Sequence, residues 1–291
     1  MNIIYKIPGY ILCLLGGFFL SWGGLIIRSF ETEDIWQILL IRSFFFIIAL
    51  IIFLILTYKK NTFQIIKKSG FPALFAGLFL SLSFVAYIVA MSKTTVANVV
   101  FIISTQTIFL AIFGLLFLRE KISLKGFFAI ILALIGMTVM IGDSINQGTL
   151  FGNIVAFAIP INFTILVMII RKFPDLDMIP AIFFSGILSG LYGLFLANDF
   201  IFSANDILMG FFLGVPQLAF GFICVTIGTK TTKAVTVGLL MLLETIFAPI
   251  WVWLFLNEVP PISVFTGGAI IIFAVLLKSF DKSPKMINKN Y

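Results

Sequence analysis

The sequence contains no histidine, and it contains only two cysteines, Cys13 and Cys224, in a chain of 291 residues. Each cysteine lies inside an apolar segment, so we expect neither a disulfide framework nor a metal site, and no cofactor. The absence of histidine excludes His-based catalytic triads and the commonest proton relay. The sequence also lacks a cluster of nucleophilic and basic residues of the kind found in active sites, so it predicts no catalytic residues.

Charged residues are scarce as well. They make up 11% of the chain, against roughly 25% in an ordinary soluble domain, whereas hydrophobic residues make up 61%. This composition is typical of an integral membrane protein surrounded by lipid. The net charge is +7, but the Lys and Arg residues lie in short clusters between apolar runs and form no basic stripe with interleaved aromatics, so we expect no nucleic-acid partner.

The apolar runs predict an all-α integral membrane protein with ten transmembrane helices. A helix needs about 20 apolar residues to cross roughly 30 Å of hydrocarbon, and ten runs are long enough. The predicted spans are residues 9–27, 36–56, 71–90, 95–118, 124–142, 150–170, 178–197, 206–228, 234–256 and 262–278. Short connections make consecutive helices antiparallel neighbours. No small-residue cleavage site follows the first run, which predicts a retained helix and not a removed signal peptide.

Basic residues predict the orientation, because short cytoplasmic loops are enriched in Lys and Arg. Fourteen basic residues fall on one predicted side: Lys6, Lys59, Lys60, Lys67, Lys68, Arg119, Lys121, Lys125, Arg171, Lys172, Lys278, Lys282, Lys285 and Lys289. Four fall on the other side: Arg28, Lys93, Lys230 and Lys233. The asymmetry predicts an inner (cytoplasmic) membrane protein with both termini in the cytoplasm.

The chain repeats itself at a shift of 138 residues. This shift lays FLRE (117–120) on FLNE (255–258), and residues 94–122 show ten identities in 29 positions. A shift of 143 residues lays IIRSFETED (26–34) on IIRKFPDLD (169–177). Matches of Arg, Asp, Thr and Glu are harder to obtain by composition bias than matches of Phe, Ile or Leu. The pattern therefore predicts a duplication.

The predicted repeats are residues 1–145 and 146–291, each with five helices, within one membrane domain. Because five is an odd number, the second copy must enter the membrane from the opposite side. Inverted repeats of this kind are a common construction of secondary transporters, in which the substrate site lies at the repeat interface near the bilayer midplane. A structural bundle or an enzyme built on the same duplication is the alternative.

The paired helix-end motifs are FLREKISLKGFFAIILALIG (117–136) and FLNEVPPISVFTGGAIIIFA (255–274), and the second span contains an arginine in LLIRSFFF (39–46). With these motifs the chain resembles the EamA-like transporters of the drug/metabolite transporter superfamily, over nearly its whole length. The resemblance implies a carrier that moves amino acids, other metabolites or toxic compounds by alternating access, through a cavity between the repeats.

Glu244 is the main candidate for a functional residue. It stands in LLMLLETIFAPIW (239–251), near the middle of the ninth span and about 15 Å from either surface at 1.5 Å per residue. Its counterpart in the first repeat is Gln106, which is predicted to orient the substrate by hydrogen bonds. An ionisable group at this depth costs at least about 2.5–3.5 kcal/mol, so we expect Glu244 to face a cavity and bind a cationic group or a proton. The alternative is a protonated Glu244 that joins two helices by a hydrogen bond.

Three prolines fall inside predicted spans and are candidate hinges. Pro249 removes the backbone donor that would serve the carbonyl of the fourth preceding residue. Pro160 and Pro216 are each followed within two residues by an amide, Asn162 and Gln217 respectively. Interrupted helices with nearby polar groups point to transport sites, so both amides are candidate substrate-binding residues. Kinks that serve only packing are the alternative.

Arg42 lies a turn or two inside the second span. Its side chain either extends outward to the acidic residues within 31–34, or faces the cavity, where it attracts a carboxylate or pairs with Glu244. Trp22 and Tyr87 are predicted to form apolar walls of the site. Trp22 lies between two glycine pairs, which allow close helix approach.

Glu120 and Glu258 end the fourth and ninth helices, and the sequence predicts a structural role for both. A carboxylate is unfavourable at a helix C-terminus. We therefore expect each to pair with a nearby base, such as Arg119, Lys121 or Lys125, or with the following helix.

The predicted function is a carrier of a small polar or zwitterionic metabolite, with an amino acid favoured and protons as a further ligand if Glu244 couples transport to them. An exporter of toxic hydrophobic or cationic compounds is the alternative within the same class. A lipid-modifying membrane enzyme would need a nucleophile or metal cluster. A channel would need polar rings along a continuous pore, whereas here the polar residues cluster at mid-depth.

Overall fold

The computed structural model describes residues 3–94, 96–120, 122–141, 150–256 and 262–279, and the regular structure of these residues is entirely helical. They form fourteen α-helices with two short 3-10 helices, Ile3–Lys6 and Lys59–Asn61, and a π-helical segment, Leu213–Phe220. The α-helices are α1 (Gly9–Leu20), α2 (Gly23–Arg28), α3 (Ile35–Tyr58), α4 (Thr62–Lys93), α5 (Val96–Ser104), α6 (Gln106–Phe117), α7 (Leu124–Ile141), α8 (Leu150–Ala156), α9 (Ala158–Lys172), α10 (Ile179–Leu196), α11 (Ala204–Phe212), α12 (Gly221–Thr229), α13 (Ala234–Leu256) and α14 (Ile262–Ser279).

Seven helical segments in the described part of the chain are long and apolar enough to cross a membrane. They are Gly9–Arg28, Ile35–Lys93, Asn98–Phe117, Leu150–Lys172, Ile179–Leu196, Ala204–Thr229 and Ala234–Phe255. Two further apolar helices, Leu124–Val139 and Phe265–Leu277, are shorter. Large apolar side chains also remain exposed along these helices, as lipid contact requires. The predicted class, an all-α multi-pass membrane protein, is confirmed.

Several of the apolar segments are interrupted near their middles. The segment Gly9–Arg28 breaks at Ser21 and Trp22, α5 is separated from α6 by Thr105, and α8 from α9 by Phe157. At two of these breaks a side-chain hydroxyl donates to a carbonyl three residues earlier, Ser21 to Phe18 at 2.6 Å and Thr105 to Ile102 at 2.6 Å. Such bonds compete with the backbone ladder of the helix, so they favour a local break.

The fold of α4 changes direction at Gly70, which has a φ of +47°. Only glycine adopts this backbone conformation without strain, and Pro72 follows two residues later and cannot donate to the ladder. The apolar part of α4 begins after this kink. The turn that leads into α4 forms at Lys59, just after the end of α3.

The helices pack so that residues from both halves of the chain share one core. Helix α10 packs against α3 and α4, α1 against α12 and α13, α6 against α9 and α13, and α7 against α14. Small polar residues bring some of these helices together. The hydroxyls of Ser43 on α3 and Ser189 on α10 lie 2.9 Å apart in a hydrogen bond, the kind of contact that joins helices in lipid.

Asp34 fixes the start of α3 and holds it to the end of α10. One carboxylate oxygen accepts a hydrogen bond from the Trp36 amide at 2.8 Å, and the other accepts two bonds at 3.0 Å from the amide and side chain of Asn198. Burial raises the pKa of Asp34, but the hydrogen bonds from Asn198 and Trp36 outweigh it, so the pKa lies below its usual value.

Asp177 likewise joins the start of α10 to the end of α3, at the opposite end of this helix pair. One oxygen accepts from the Ile179 amide at 3.0 Å, at the start of α10. The other accepts from the hydroxyl of Tyr58, the last residue of α3, at 2.5 Å, and from the hydroxyl of Tyr5 at 2.8 Å. Each aspartate therefore accepts from an amide in the first turn of one helix and contacts the end of the other.

A buried ion pair corrects two expectations from the sequence. Glu120 does not pair with Arg119; its carboxylate binds Arg171 at the end of α9, where the Arg171 Nε lies 3.0 Å from the Glu120 Oε1. The other carboxylate oxygen accepts from the amide of Ala234, the first residue of α13, at 2.9 Å. The sequence predicted a partner among the nearby bases or in the following helix, whereas the partners come from α9 and α13, which lie much further along the chain.

The same cluster shows that Lys230 and Lys233 were assigned to the wrong side. Arg171 donates to the backbone carbonyl of Lys230 at 3.1 Å, so the turn between α12 and α13 lies at the same end of the bundle as Arg171. Glu258 and four of the counted basic residues lie outside the described residues: Lys121, Lys282, Lys285 and Lys289.

Candidate functional site

A cavity lies inside the helical bundle, with a volume of about 60 Å³, several times the space that one water molecule needs. Most of its wall is apolar. The lining residues are Leu20, Arg42, Leu80, Ser83, Phe84, Tyr87, Ile103, Gln106, Ile159, Phe163, Gln217, Leu218, Phe222, Met241 and Glu244.

Five of the seven predicted substrate-binding residues line this cavity. Arg42 comes from α3, Tyr87 from α4, Gln106 from α6, Gln217 from the π-helical segment and Glu244 from α13. The structure thus brings together polar groups that lie far apart in the chain and that belong to both predicted repeats. An apolar pocket with a few convergent polar groups is the usual form of a small-molecule site.

Arg42 is 1% exposed and does not extend to the acidic residues near the start of α3. Its guanidinium carbon lies 5.1 Å from the centre of the Phe84 ring. Its Nε and Nη2 atoms are buried and have no hydrogen-bond partner. The predicted outward conformation is wrong, because the turn of α3 that carries Arg42 faces the core and Asp34 already caps the helix.

Glu244 is half-buried on α13 and opens toward the cavity. It lines the same space as Arg42, yet no ion pair or hydrogen bond joins these two residues. Gln106 begins α6 directly after the break at Thr105, and α6 packs against α13. The two residues that the repeat aligns, Gln106 and Glu244, therefore face one cavity.

Gln217 links the π-helical segment to the break in the first apolar segment. Its amide nitrogen donates to the carbonyl of Leu20, the last residue of α1, at 3.0 Å. Its amide oxygen is buried without a partner. Gly23 lies beside the side chains of Gln217 and Tyr87. A Cβ built on Gly23 would stand 2.6 Å from the Tyr87 hydroxyl and 3.0 Å from the Gln217 nitrogen.

Similarity to known proteins shows the family to which the chain belongs. The sequence model of the EamA-like transporter family matches the chain twice, over residues 7–142 and 146–280. The chain belongs to the EamA-like transporter family.

Two curated relatives of this EamA-like chain carry the name "Uncharacterized transporter". The protein from Clostridium kluyveri is 26% identical over 293 residues, which cover 92% of each chain. The protein from Methanothermobacter thermautotrophicus is 27% identical over 209 residues, which cover 66% of this chain and 59% of the relative. A solved crystal structure superposes with a TM-score of 0.77 at 14% identity, covering 94% of this chain and 98% of that one. That likeness shows the fold.

Two of the predicted binding residues of this EamA-like transporter lie away from the cavity. Trp22 stacks on Trp251, with ring centres 4.6 Å apart, and Trp251 donates to the Ser21 hydroxyl at 2.8 Å. Asn162 is buried on α9 but does not belong to the cavity wall. Helix rotation decides which face of α9 meets the cavity, and the sequence alone does not determine it.

None of the three candidate hinge prolines lines the cavity. Pro160 lies in the first turn of α9, where a missing amide hydrogen leaves no bond unmade. Pro216 lies inside the π-helical segment, and Pro249 lies inside α13. Their hinge roles stay predictions.

Sequence reasoning missed the first-half residues that surround Arg42. Ser83 lines the cavity and donates to the carbonyl of Ile159 at 3.3 Å, next to the break between α8 and α9. Phe84 lies under the Arg42 guanidinium. The segment SLSFVAY (81–87) contained the only available indication, a serine one residue before an aromatic in an otherwise apolar run. In the part of the chain that the structure describes, no group of three potential metal ligands occurs.

Proposed function

We propose that this EamA-like transporter is a secondary carrier that moves a small polar or zwitterionic metabolite, with an amino acid as the favoured cargo. One observation carries the proposal: a cation, a carboxylate and two amides, drawn from both halves of the chain, line a single cavity in an otherwise apolar bundle. Ionisable groups at such depth mark substrate or ion pathways. Glu244 binds a cationic group of the cargo or a proton, and Gln106 and Gln217 orient the cargo by hydrogen bonds.

The proposal includes ten membrane crossings. The segment Ile35–Lys93 contains 59 residues, which at 1.5 Å per residue would be far longer than the roughly 30 Å hydrocarbon layer. Two crossings, α3 and α4, account for its length. The shorter apolar helices α7 and α14 supply one crossing each. The double match of the family's sequence model supports two five-helix repeats, 1–145 and 146–291.

Helix contacts support the inverted arrangement of the two repeats. In two five-helix repeats, the first predicted span corresponds to the sixth, the third to the eighth and the fourth to the ninth. The contact of α1 with α12 (first and eighth spans) then corresponds to that of α9 with α4 (sixth and third). The contact of α1 with α13 (first and ninth spans) corresponds to that of α9 with α6 (sixth and fourth). The pairs α3–α10, α6–α13 and α7–α14 map onto themselves. The matching roles of Asp34 and Asp177 at opposite ends of α3 and α10 fit the same symmetry.

The corrected position of the turn before α13 strengthens the proposed orientation. With Lys230 and Lys233 on the same side as Arg171, sixteen basic residues lie on one side and two, Arg28 and Lys93, on the other. The positive-inside rule then supports cytoplasmic termini in an inner membrane. The alternating-access mechanism follows from the same construction, because a site between inverted repeats can open to either side.

Counterflow into proteoliposomes tests the proposal. The purified protein is reconstituted and loaded with a mixture of unlabelled amino acids, and the entry of each labelled amino acid is measured. A carrier gives saturable uptake that a substrate on the opposite side accelerates. Flux that rises without saturation would indicate a channel, and absence of flux for amino acids and for small amines and organic acids would overturn the proposal.

Glu244→Gln tests the role of the carboxylate. We expect counterflow to fall at least about tenfold and to lose its dependence on pH, because the amide keeps the size of the side chain but can neither hold a proton nor attract a cation. Glu33→Gln is the matched control, since Glu33 is exposed and lies outside the cavity. Unchanged counterflow in Glu244→Gln at every pH would remove the proposed role.

A further inference from the structure

We infer that Arg42 is the binding site for a carboxylate of the transported compound, so that the cargo is defined by its carboxylate and not only by a cationic group. This inference rests on the proposed transport function and narrows its substrate class. It starts from the unusual position of Arg42, which is among the largest fully buried side chains in the described part of the chain and also lines the cavity.

The guanidinium of Arg42 has donors that the protein does not satisfy. Its Nε and Nη2 atoms are both buried and without a hydrogen-bond partner. Buried polar groups are nearly always paired, and burying an unpaired charge is strongly unfavourable. The two unpaired donors border a cavity, so a ligand in the cavity with a hydrogen-bond acceptor can bind to them strongly.

The surroundings hold the guanidinium in place without using these donors. Phe84 contacts the guanidinium with its ring face at 5.1 Å. Phe84 is itself fixed by edge-to-face contacts with Phe46 at 5.7 Å and Phe222 at 5.3 Å. A cation–π contact is an attraction between a charge and a ring face and uses no hydrogen-bond donor, so the Nε and Nη2 donors remain available to a ligand.

The chemistry of these donors favours a carboxylate. The planar guanidinium offers two parallel N–H groups at the spacing of the two carboxylate oxygens, which makes a bidentate, charge-assisted pair. A phosphate would also fit the donors. However, Glu244 lines the same cavity, and in its ionised form it opposes a dianion and favours a zwitterion whose ammonium group lies on the Glu244 side. No direct pair between Arg42 and Glu244 competes with such a ligand.

Thermal unfolding of the full chain in detergent tests the inference. The fluorescence of its 4 tryptophans reports the unfolding. The probes are sodium propionate, sodium methylphosphonate and ethylammonium chloride, each compared with sodium chloride at the same ionic strength. We expect propionate to raise the unfolding temperature of the wild type. In Arg42→Gln and Arg42→Lys, the propionate concentration that gives half the effect should rise at least about tenfold, since both changes remove the bidentate donor pair.

Arg119→Gln is the matched control, because it also removes one positive charge but from an exposed position outside the cavity, and it should respond as the wild type does. Arg42→Lys keeps the charge and provides the test if Arg42→Gln does not fold. The inference is overturned if propionate stabilises the wild type no more than chloride does, if either Arg42 variant responds like the wild type, or if methylphosphonate stabilises more strongly than propionate. Stabilisation by ethylammonium that Arg42→Gln abolishes would also overturn it.

The two proposals fail in different ways. If amino acids, small amines and organic acids all show no flux while propionate still stabilises through Arg42, the transport function is wrong and the carboxylate site remains. If counterflow persists unchanged in Arg42→Gln and propionate has no effect, the carrier remains and the assignment of Arg42 is wrong.

Discussion

At the scale of single residues, the cavity depends on the backbone of the first apolar segment as much as on polar side chains. Because this segment breaks between α1 and α2, Gly23 approaches the Tyr87 hydroxyl and the Gln217 amide closely enough that a methyl group would displace them. Gln217 in turn occupies the carbonyl that the break leaves free at Leu20. The break thus positions two polar groups of the site.

Gly23→Ala should therefore reduce transport more than stability. The new Cβ would stand 2.6 Å from the Tyr87 hydroxyl oxygen. Both displaced side chains border the cavity, so they can shift into open space without unfolding the bundle. We expect counterflow to fall at least about tenfold while the unfolding temperature changes by no more than about 3 °C.

Gly268→Ala provides the control, because the nearest atom to its new Cβ lies 3.9 Å away, so neither quantity should change. A large loss of stability in Gly23→Ala, or normal transport, would contradict this account of the break.

Individual residues also show what the sequence predicts and what it does not. Glu244 could be singled out because a carboxylate in the middle of an apolar span is costly in any arrangement. The inward position of Arg42 could not be decided, since outward extension and cavity lining both satisfy the chemistry of a long basic side chain. The position of Trp22 against Trp251, and of Asn162 outside the cavity, depends on helix rotation, which apolar composition on all sides leaves undetermined.

At the scale of helices, the bonds that position the ends of spans join elements far apart in the chain. The length of the apolar runs correctly predicted an all-helical membrane protein, because a span must cover the thickness of the hydrocarbon layer, while the count of ten spans stays a prediction. It did not predict the π-helical segment Leu213–Phe220 or the ion pair between Glu120 and Arg171. Both depend on neighbouring helices and not on the local sequence.

A double-mutant cycle on this ion pair measures how firmly α9 is held to α6 and α13. Both side chains are 6% exposed, so Glu120→Met and Arg171→Met should each cost about 3–5 kcal/mol of stability by leaving a buried charge unpaired. The double variant should be less destabilised than the sum by about 1–3 kcal/mol.

The two single changes should cost about the same, because each also removes one backbone bond, from the Ala234 amide in Glu120→Met and to the Lys230 carbonyl in Arg171→Met. The measurement is equilibrium unfolding in detergent, with the exposed residue Arg119 changed to methionine as the control. Additive single effects would show that the two charges do not stabilise each other.

At the scale of the whole molecule, the proposed inverted topology makes the two ends of the bundle distinguishable. The loop before α3 and the turns before α4 and α13 should lie on opposite sides of the membrane, the first outside and the other two in the cytoplasm. The ten spans stay a prediction. The sequence analysis placed the turn before α13 on the opposite side from Arg171, and the bond from Arg171 to the Lys230 carbonyl corrects this.

Single cysteines at Glu31, Lys60 and Thr231, all exposed positions, test this topology in a background without Cys13 and Cys224. A membrane-impermeant maleimide applied to intact cells should label Glu31→Cys. It should label Lys60→Cys and Thr231→Cys only after the membrane is permeabilised. Two results in intact cells would refute the proposed arrangement. One is labelling of all three cysteines, and the other is labelling of Glu31→Cys and Thr231→Cys but not of Lys60→Cys.

The hydrogen bond between Tyr5 and Asp177 has a practical consequence for handling the protein. Asp177 lies just before α10 and accepts from the first amide of that helix, and its carboxylate also accepts from a residue that precedes the first apolar segment. The short 3-10 helix that carries Tyr5 is therefore part of the packed bundle. Trimming the chain before Gly9, or attaching an affinity tag rigidly at this point, would remove or strain a contact between the two halves.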